Sequence, residues 1–266
     1  MHEILRQLPR ESAVLDLGCA SGSFPPEATA ATVVRLDIQP GRLQVAETRA
    51  ARVVADAAHL PFRDAAFHAV ISNHSMEHFV NLGAVLGELA RVTRPDGAVY
   101  VAVPDATTFT DRLYRWLARG GGHVNAFRTE AEVARLIEKT SGLRHVATKP
   151  LCSSLSYLNQ NHRNGRTPLR LAILGGGAEW TLWSYVLASR SLDRWFGTRL
   201  SIYGWALYFG AAPAPINTAT WRNVCVRCGS GSPAAELLAS GAVDRVFLLR
   251  VFRCPHCGAS TPFFMD

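Results

Sequence analysis

Asp16 stands at the end of an apolar, β-branched run, Ala13-Val-Leu-Asp-Leu17, and a turn of small residues follows it, Gly18-Cys-Ala-Ser-Gly22. A turn almost without side chains lets the backbone approach a ligand closely. A second acid, Asp37, closes the next apolar run, at a spacing suited to ribose hydroxyls. The turn reads Gly-Cys-Ala-Ser-Gly-Ser, so it lacks the second and third glycines of the dinucleotide fingerprint. An acid ahead of the turn is no part of that fingerprint either, but it suits a ligand that brings an ammonium group to the sheet edge.

Three further groups of residues could do chemistry. His74, Glu77 and His78 recur at i, i+3 and i+4, so on a helix they would share one face. They could serve as a general base, as a weak divalent-cation site, or as scaffold. His123, flanked by Gly120-Gly-Gly122, is a second candidate base on a loop able to close over an acceptor. Cys225 and Cys228, then Cys254 and Cys257, form two Cys-x2-Cys pairs with a glycine after each second cysteine. Four thiolates on two tight turns make a closed tetrahedral set for structural zinc, with no open position for water. Two disulfides are the competing arrangement, disfavoured in a cytoplasmic protein. Cys19 and Cys152 have no evident partner.

The elements that must position these residues can be read from the apolar pattern. Runs at 13–17, 32–38, 52–56, 67–73 and 98–104 are rich in β-branched residues. Helical periodicity falls between some of them, most clearly over 81–92, where Leu82, Val85, Leu86 and Leu89 share a face. A further helix is expected over 129–140, with Thr129 and Glu132 as a capping box. Strands alternating with helices and nearly continuous in apolar character predict a parallel sheet covered on both faces. Residues 201–211 read as another strand, and 175–197 looks helical but is broken by glycines. Pro25 and Pro26 crowd the start of the first crossover and should leave its helix short. Ala20 fits its turn only if its φ is negative.

In such sheets ligands sit at the carboxyl ends of the strands, where the strand order reverses, and the turn at 18–22 occupies that place. S-adenosylmethionine carries both an ammonium and a ribose, and so answers both Asp16 and Asp37.

Four segments in order resemble the class I S-adenosylmethionine-dependent methyltransferases, in particular the small-molecule branch called type 11, over about residues 10–150. They are VLDLGCASG, VVRLDI, ADAAHLPFRDAAFHAVISNHSMEHF and ELARVTRPDGAVYVAVP. The resemblance implies a Rossmann-like α/β fold, doubly wound around a mostly parallel seven-stranded sheet. It implies that Asp16, Gly18, Cys19, Ala20 and Gly22 line the methionine side of the cofactor. Asp37 would hold the ribose, with Ile38 against the adenine. Asp56 would accept from the adenine amino group beside Ala57, and Asn73 and His74 would complete the pocket. His78 and His123 are the candidate catalytic bases. No Asn-Pro-Pro-Tyr-like motif follows the fourth strand, which argues against the enzymes that use it on adenine or glutamine nitrogens. Residues 221–266 resemble a small four-cysteine zinc ribbon.

The 266 residues carry a net charge of +7, with 48% hydrophobic and 18% charged residues. Residues 1–140 hold 15 basic and 16 acidic groups, whereas 141–200 hold 8 and 2. The basic stretch, with Arg144, Lys149, Arg163, Arg166 and Arg170, precedes Trp180, Trp183, Tyr185, Trp195 and Phe196. That order suits an anionic acceptor with an apolar body. The expected organisation is a methyltransferase domain over 1–212 with an acceptor-recognition insertion near 141–200, a linker at 213–220, and the ribbon over 221–266. No window is long and apolar enough to span a membrane, and no secretory h-region opens the chain, so a cytoplasmic location is expected, with peripheral membrane contact open. The leading expectation is O-methylation of a small-molecule, glycan or lipid-linked acceptor. RNA methylation with the ribbon gripping the substrate is the second, and an inactive scaffold the third. The ribbon's net charge of about +2 is weak for nucleic acid.

Overall fold

The computed structural model describes residues 1–43, 50–117, 122–160, 177–212 and 216–265. Arg163, Arg166 and Arg170 lie outside the described residues. The chain divides into two compact units. One comprises Met1–Asp105, Gly122–Lys149 and Trp205–Thr218; the other comprises Ala106–Gly121, Pro150–Gly204 and Ala219–Asp266. The segment expected as a linker, 213–220, contains the change of unit at Thr218, and residues from 219 onward share a unit with 106–121 and 150–204.

The sheet has seven strands: β1 (Ala13–Leu17), β2 (Thr32–Asp37), β3 (Ala50–Val54), β4 (Phe67–Asn73), β5 (Thr93–Pro104), β6 (His145–Cys152) and β7 (Ile202–Gly210). Their order is β3-β2-β1-β4-β5-β7-β6, and the pairings from β3 through β5 are parallel. The chain winds outward from β1 to β3 and then returns to place β4 on the other side of β1. The carboxyl ends of β1 and β4 therefore flank the point where strand order reverses. Leu15, Leu17, Val70, Val99 and Phe209 are buried in the core of the first unit.

Helix α1 (His2–Leu5) precedes the sheet, and α2 (Leu82–Val92) and α4 (Glu130–Ser141) flank the strands of the first unit. The Asn81 side chain accepts from the Ala84 N–H at 3.3 Å to start α2, with Leu86 and Leu89 on the buried face. Thr129 caps α4 as expected, accepting from the Glu132 N–H, and Gly142 ends it in the left-handed region. Between β1 and β2 the described residues contain only a 3₁₀ turn, Pro26–Ala28. Pro25 and Pro26 leave less helix there than the fold pattern suggests.

The second unit contains α3 (Phe109–Leu117) and α5 (Glu179–Phe196). It also contains the tail elements β8 (Asn223–Val224), β9 (Gly231–Ser232), α6 (Ala234–Ala239), β10 (Val243–Val246), β11 (Leu249–Arg253) and β12 (Ser260–Pro262). β10, β11 and β12 form an antiparallel sheet. Val226 is buried in one cluster with Leu155, Leu158, Leu182 and Val186, so the first cysteine knuckle is part of this unit's core. Arg190, fully buried on α5, donates to the carbonyls of Ser153, Ser201 and Arg222, and so ties three segments together.

Candidate active site and cysteine centre

The turn after β1 is held by its own backbone and by Asp37. The N–H groups of Gly18 and Cys19 donate to the Leu36 carbonyl at 2.8 and 3.1 Å. The Ala20 N–H donates to Asp37 Oδ2 at 2.8 Å, and the Gln39 N–H to Oδ1 at 2.9 Å. Gly18 has φ +66°, and a Cβ there would lie 2.7 Å from the Ser75 Cβ. A Cβ on Gly22 would collide with the Arg35 guanidinium. The glycines therefore permit the turn and its packing against the segment after β4. Ala20 has φ +48°, not the negative value expected. The Asp37 hydrogen bond holds this residue in a region that alanine disfavours.

Asp16 is fully buried. Its Oδ2 accepts from the Ser23 N–H at 2.9 Å, and the Arg35 Nε lies 3.9 Å away. Arg35 itself donates to the Phe24 carbonyl at 2.7 Å. Asp16 Oδ1 is buried with no hydrogen-bond partner among the described residues. An unmet buried acceptor is costly, and an ammonium-bearing ligand would satisfy it. Burial pushes the Asp16 carboxyl up to about 6, against the Ser23 hydrogen bond and the Arg35 charge, which favour ionisation. Cys19 is buried beside it, and desolvation together with the two carboxylates pushes its thiol up to about 12, so it stays protonated.

On the outer side of the turn, Ile38 is exposed, free to cover a ring. Asp56 is 56% exposed and accepts from the Ala58 N–H at 2.9 Å, with Ala57 buried behind it. Asp56 also lies within 3.9 Å of the His59 Nδ1.

The segment after β4 differs from the helical face expected of it. Only Met76–His78 is helical, as a 3₁₀ turn, and His74 has φ +54°. Asn73 ends β4, and the Ser75 hydroxyl donates to the Leu17 carbonyl at 3.0 Å, fastening this segment to the end of β1. The loop carrying His123 folds onto the same place. The N–H groups of Val124 and Asn125 donate to the Glu77 carbonyl, and the Asn125 amide donates to the carbonyls of Met76 and Phe79. His78 and His123 meet edge to face with ring centroids 4.8 Å apart. Ligand atoms of Glu77, His78 and His123 lie within 4.8 Å of one another. The two candidate bases, 45 positions apart, thus belong to one cluster. Asn125 is the residue that sequence reasoning missed; its amide anchors the loop.

His78 is exposed, and its Nδ1 lies 2.9 Å from the Gly122 carbonyl. A carbonyl can only accept, so Nδ1 carries the hydrogen and the lone pair of the neutral ring is on Nε2. His74 Nδ1 lies 3.9 Å from Glu77 Oε1. Burial, then the neighbouring His123 and His78 charges, push the His74 imidazole down to about 4. The side chain keeps 30% of its surface exposed, which limits the burial contribution, but all three causes favour the neutral ring.

The four tail cysteines converge with their sulfurs within 4.8 Å of one another. Cys225 and Cys257 sulfurs are 3.5 Å apart, and those of Cys228 and Cys254 are 3.6 Å apart. All are free thiols. A tetrahedral ion with metal–sulfur bonds of about 2.3 Å separates its sulfurs by about 3.8 Å, whereas a disulfide needs about 2.05 Å. The arrangement fits a four-thiolate metal centre.

The residues expected to form an acceptor surface fall in different environments. Lys149 is buried and pairs with Glu3 at 3.7 Å, a structural contact. Trp183 donates to the Ser260 carbonyl, and Tyr185 to the Leu200 carbonyl. Trp180, Trp195 and Phe196 are exposed.

Residues 15–101 match the family model described as a methyltransferase domain. A malonyl-[acyl-carrier protein] O-methyltransferase of Serratia marcescens is 34% identical over 163 residues, covering 56% of this chain and 64% of that protein. A demethylmenaquinone methyltransferase of Mycolicibacterium gilvum is 38% identical over 111 residues, covering 41% and 48%. The chain thus spans less than two thirds of the length of these curated relatives. Among solved structures, a geranyl diphosphate C-methyltransferase of Streptomyces coelicolor, in complex with Mg2+, geranyl diphosphate and S-adenosylhomocysteine, superposes with a TM-score of 0.51. It covers 77% of that chain and 79% of this one, and at 12% identity it speaks to the fold alone. The match over 15–101, the reversal of strand order at β1 and the acid-flanked glycine turn agree in one respect: the chain has a Rossmann-like methyltransferase fold and is similar to S-adenosylmethionine-dependent methyltransferases of class I.

Proposed function

We propose that the protein transfers a methyl group from S-adenosylmethionine to an oxygen of a small acceptor, with His78 as the base. The observation that carries this reading is the convergence of His78, His123 and Glu77 after β4, on a segment fastened to the cofactor turn through Ser75 and Leu17. The sulfonium of the cofactor is already an activated leaving group, so the protein's task is alignment and, for a hydroxyl, removal of the proton. Asp16 Oδ1 would receive the ammonium of the cofactor. Asp37 would face the ribose from the far side of the turn it holds, and Asp56 would accept from the adenine amino group. With Nδ1 committed to Gly122, His78 Nε2 would take the acceptor proton. His123, packed edge to face against it, would hold the ring in place.

The relatives named for malonyl-[acyl-carrier protein] and for demethylmenaquinone make an acyl or quinone-like acceptor a reasonable class. A lipid-linked acceptor shares that chemistry, and a glycan would offer hydroxyl oxygens to the same base. The tail would hold one structural zinc through Cys225, Cys228, Cys254 and Cys257, cross-linking the segments that carry the two knuckles. Glu77, His78 and His123 also form a possible three-ligand cation site, and a chelator separates the two readings. Base catalysis by His78 predicts methyl transfer that survives mild chelation of divalent ions.

The test is transfer of labelled methyl from S-adenosylmethionine into a fractionated cell extract, with and without nuclease. Label in a nuclease-resistant small-molecule or lipid fraction supports the reading. Label lost on nuclease treatment makes RNA the acceptor and refutes it.

A further inference from the structure

We propose that the tip of the β10–β11 hairpin is a membrane-contact element that seats in an anionic lipid surface. Val246 and Leu249 face each other across the last rung of the hairpin, and Phe247 and Leu248 form the turn beyond them. Phe247 is 94% exposed and Leu248 90%. Four consecutive apolar residues thus cap a protruding hairpin. A solvated two-residue turn favours Asn-Gly or a similar pair, because both can adopt positive φ. Here Phe247 takes φ +53°, a conformation disfavoured for a bulky residue. Local folding rules account for neither the residue type nor its exposure.

The rung below supplies the charge. Arg245 and Arg250 stand directly opposite each other, and both are exposed. Like charges directly opposite on a sheet destabilise it unless an anionic surface meets them. Arg245 Nε donates to the Phe247 carbonyl at 3.2 Å, so its guanidinium is held next to the turn. Asp244, next to Arg245 in the strand, pairs with Val251 on the following rung, and successive residues of a strand point to opposite faces. From the arginine rung to the tip is two residue steps, about 7 Å of strand. That length places the apolar tip at the acyl boundary while the guanidinium groups stay at phosphate level. Two opposed arginines under an apolar tip suit a lipid headgroup layer, whereas a nucleic-acid strand would meet apolar side chains first. Among the described residues no helix is long and apolar enough to cross a membrane.

The experiment is cosedimentation of the full chain with phosphatidylcholine vesicles, with and without a quarter of phosphatidylglycerol. The probe is the vesicle itself, and the reading of the methyl-transfer site plays no part in the outcome. Wild-type protein is expected to bind the anionic vesicles and to lose binding as salt is added. A Phe247→Ser/Leu248→Ser variant should bind about tenfold or more weakly, since two exposed apolar side chains no longer leave water. An Arg245→Gln/Arg250→Gln variant should retain the tip but lose the preference for phosphatidylglycerol. Far-ultraviolet dichroism and the thermal unfolding transition, unchanged in both variants, show that each is folded. Failure of the wild-type chain to bind anionic vesicles overturns the proposal, as does equal binding by the Phe247→Ser/Leu248→Ser variant. Capture of RNA or of a protein partner through the tip, without vesicle binding, overturns it equally.

Discussion

Replacing Asp16 with asparagine should separate stability from ligand binding. The substitution keeps the shape of the side chain, and the new amide oxygen can still accept from the Ser23 N–H. Burial raises the wild-type carboxyl from 3.8 to about 6 in the unliganded protein, so the folded state binds this proton more tightly than the unfolded one. The sign follows directly. The contribution of Asp16 to stability is greatest below pH 3.8 and is lost as pH rises through about 6. At neutral pH the ionised, buried carboxylate therefore costs the free protein about 3 kcal/mol relative to its protonated form. Asparagine removes that cost and gives up the 3.9 Å attraction to Arg35, for a net gain of about 1–2 kcal/mol. The liganded protein responds in the opposite direction. An ammonium deprived of its buried carboxylate loses a charged hydrogen bond, about 1.5–3 kcal/mol or roughly ten- to a hundredfold in affinity. Calorimetric titration with S-adenosylhomocysteine and denaturant unfolding of the same preparations measure both quantities. The wild-type affinity should also fall about tenfold per pH unit below 6, and that dependence should vanish in the variant. A less stable Asp16→Asn protein that binds S-adenosylhomocysteine with wild-type affinity and pH profile would refute the reasoning.

Other perturbations probe the remaining parts. Ala20→Gly should stabilise the fold by about 1 kcal/mol, since glycine adopts the φ of +48° without strain; a loss of stability on unfolding would contradict the strain argument. His78→Gln should lower kcat for an oxygen acceptor by about a hundredfold or more while leaving S-adenosylhomocysteine affinity within twofold. An unchanged kcat removes His78 as the base. Stripping metal from the cysteine centre should unfold the tail and loosen the core that Val226 shares with Leu155, Leu158 and Leu182, read by thermal unfolding. Cofactor binding to the first unit should persist; its parallel loss would contradict the division. Arg190→Leu should remove a donor from the Ser153, Ser201 and Arg222 carbonyls, the last two of which keep a backbone N–H, and destabilise the second unit by about 3 kcal/mol, read by thermal unfolding.

The turn after β1 was legible in the sequence because its backbone chemistry is local. Asp16, Gly18 and Asp37 are fixed by the strand-to-turn geometry at the sheet edge, and the helices over 82–92 and 130–141 announce themselves by apolar period and by caps. The sign of φ at Ala20 was not legible, because it is imposed by a hydrogen bond to Asp37, 17 residues away. The His74–His78 segment has helical spacing but no helical conformation beyond one 3₁₀ turn; its backbone is instead bound to Leu17 and to the 124–125 loop. Periodicity cannot report such long-range partners. Nor could it report that His123 would join His78, or that Val226 would sit in the core built by Leu155 and Leu182. A cysteine spacing announces a metal site without saying what the site is packed against.

The most direct test of the account is a crystal structure of the full chain with S-adenosylhomocysteine. The account predicts the ligand's ammonium against Asp16 Oδ1, its ribose by Asp37, and its sulfur facing the His78–His123 pair. A ligand bound elsewhere, or bound here with Asp16 Oδ1 still without a partner, would contradict it.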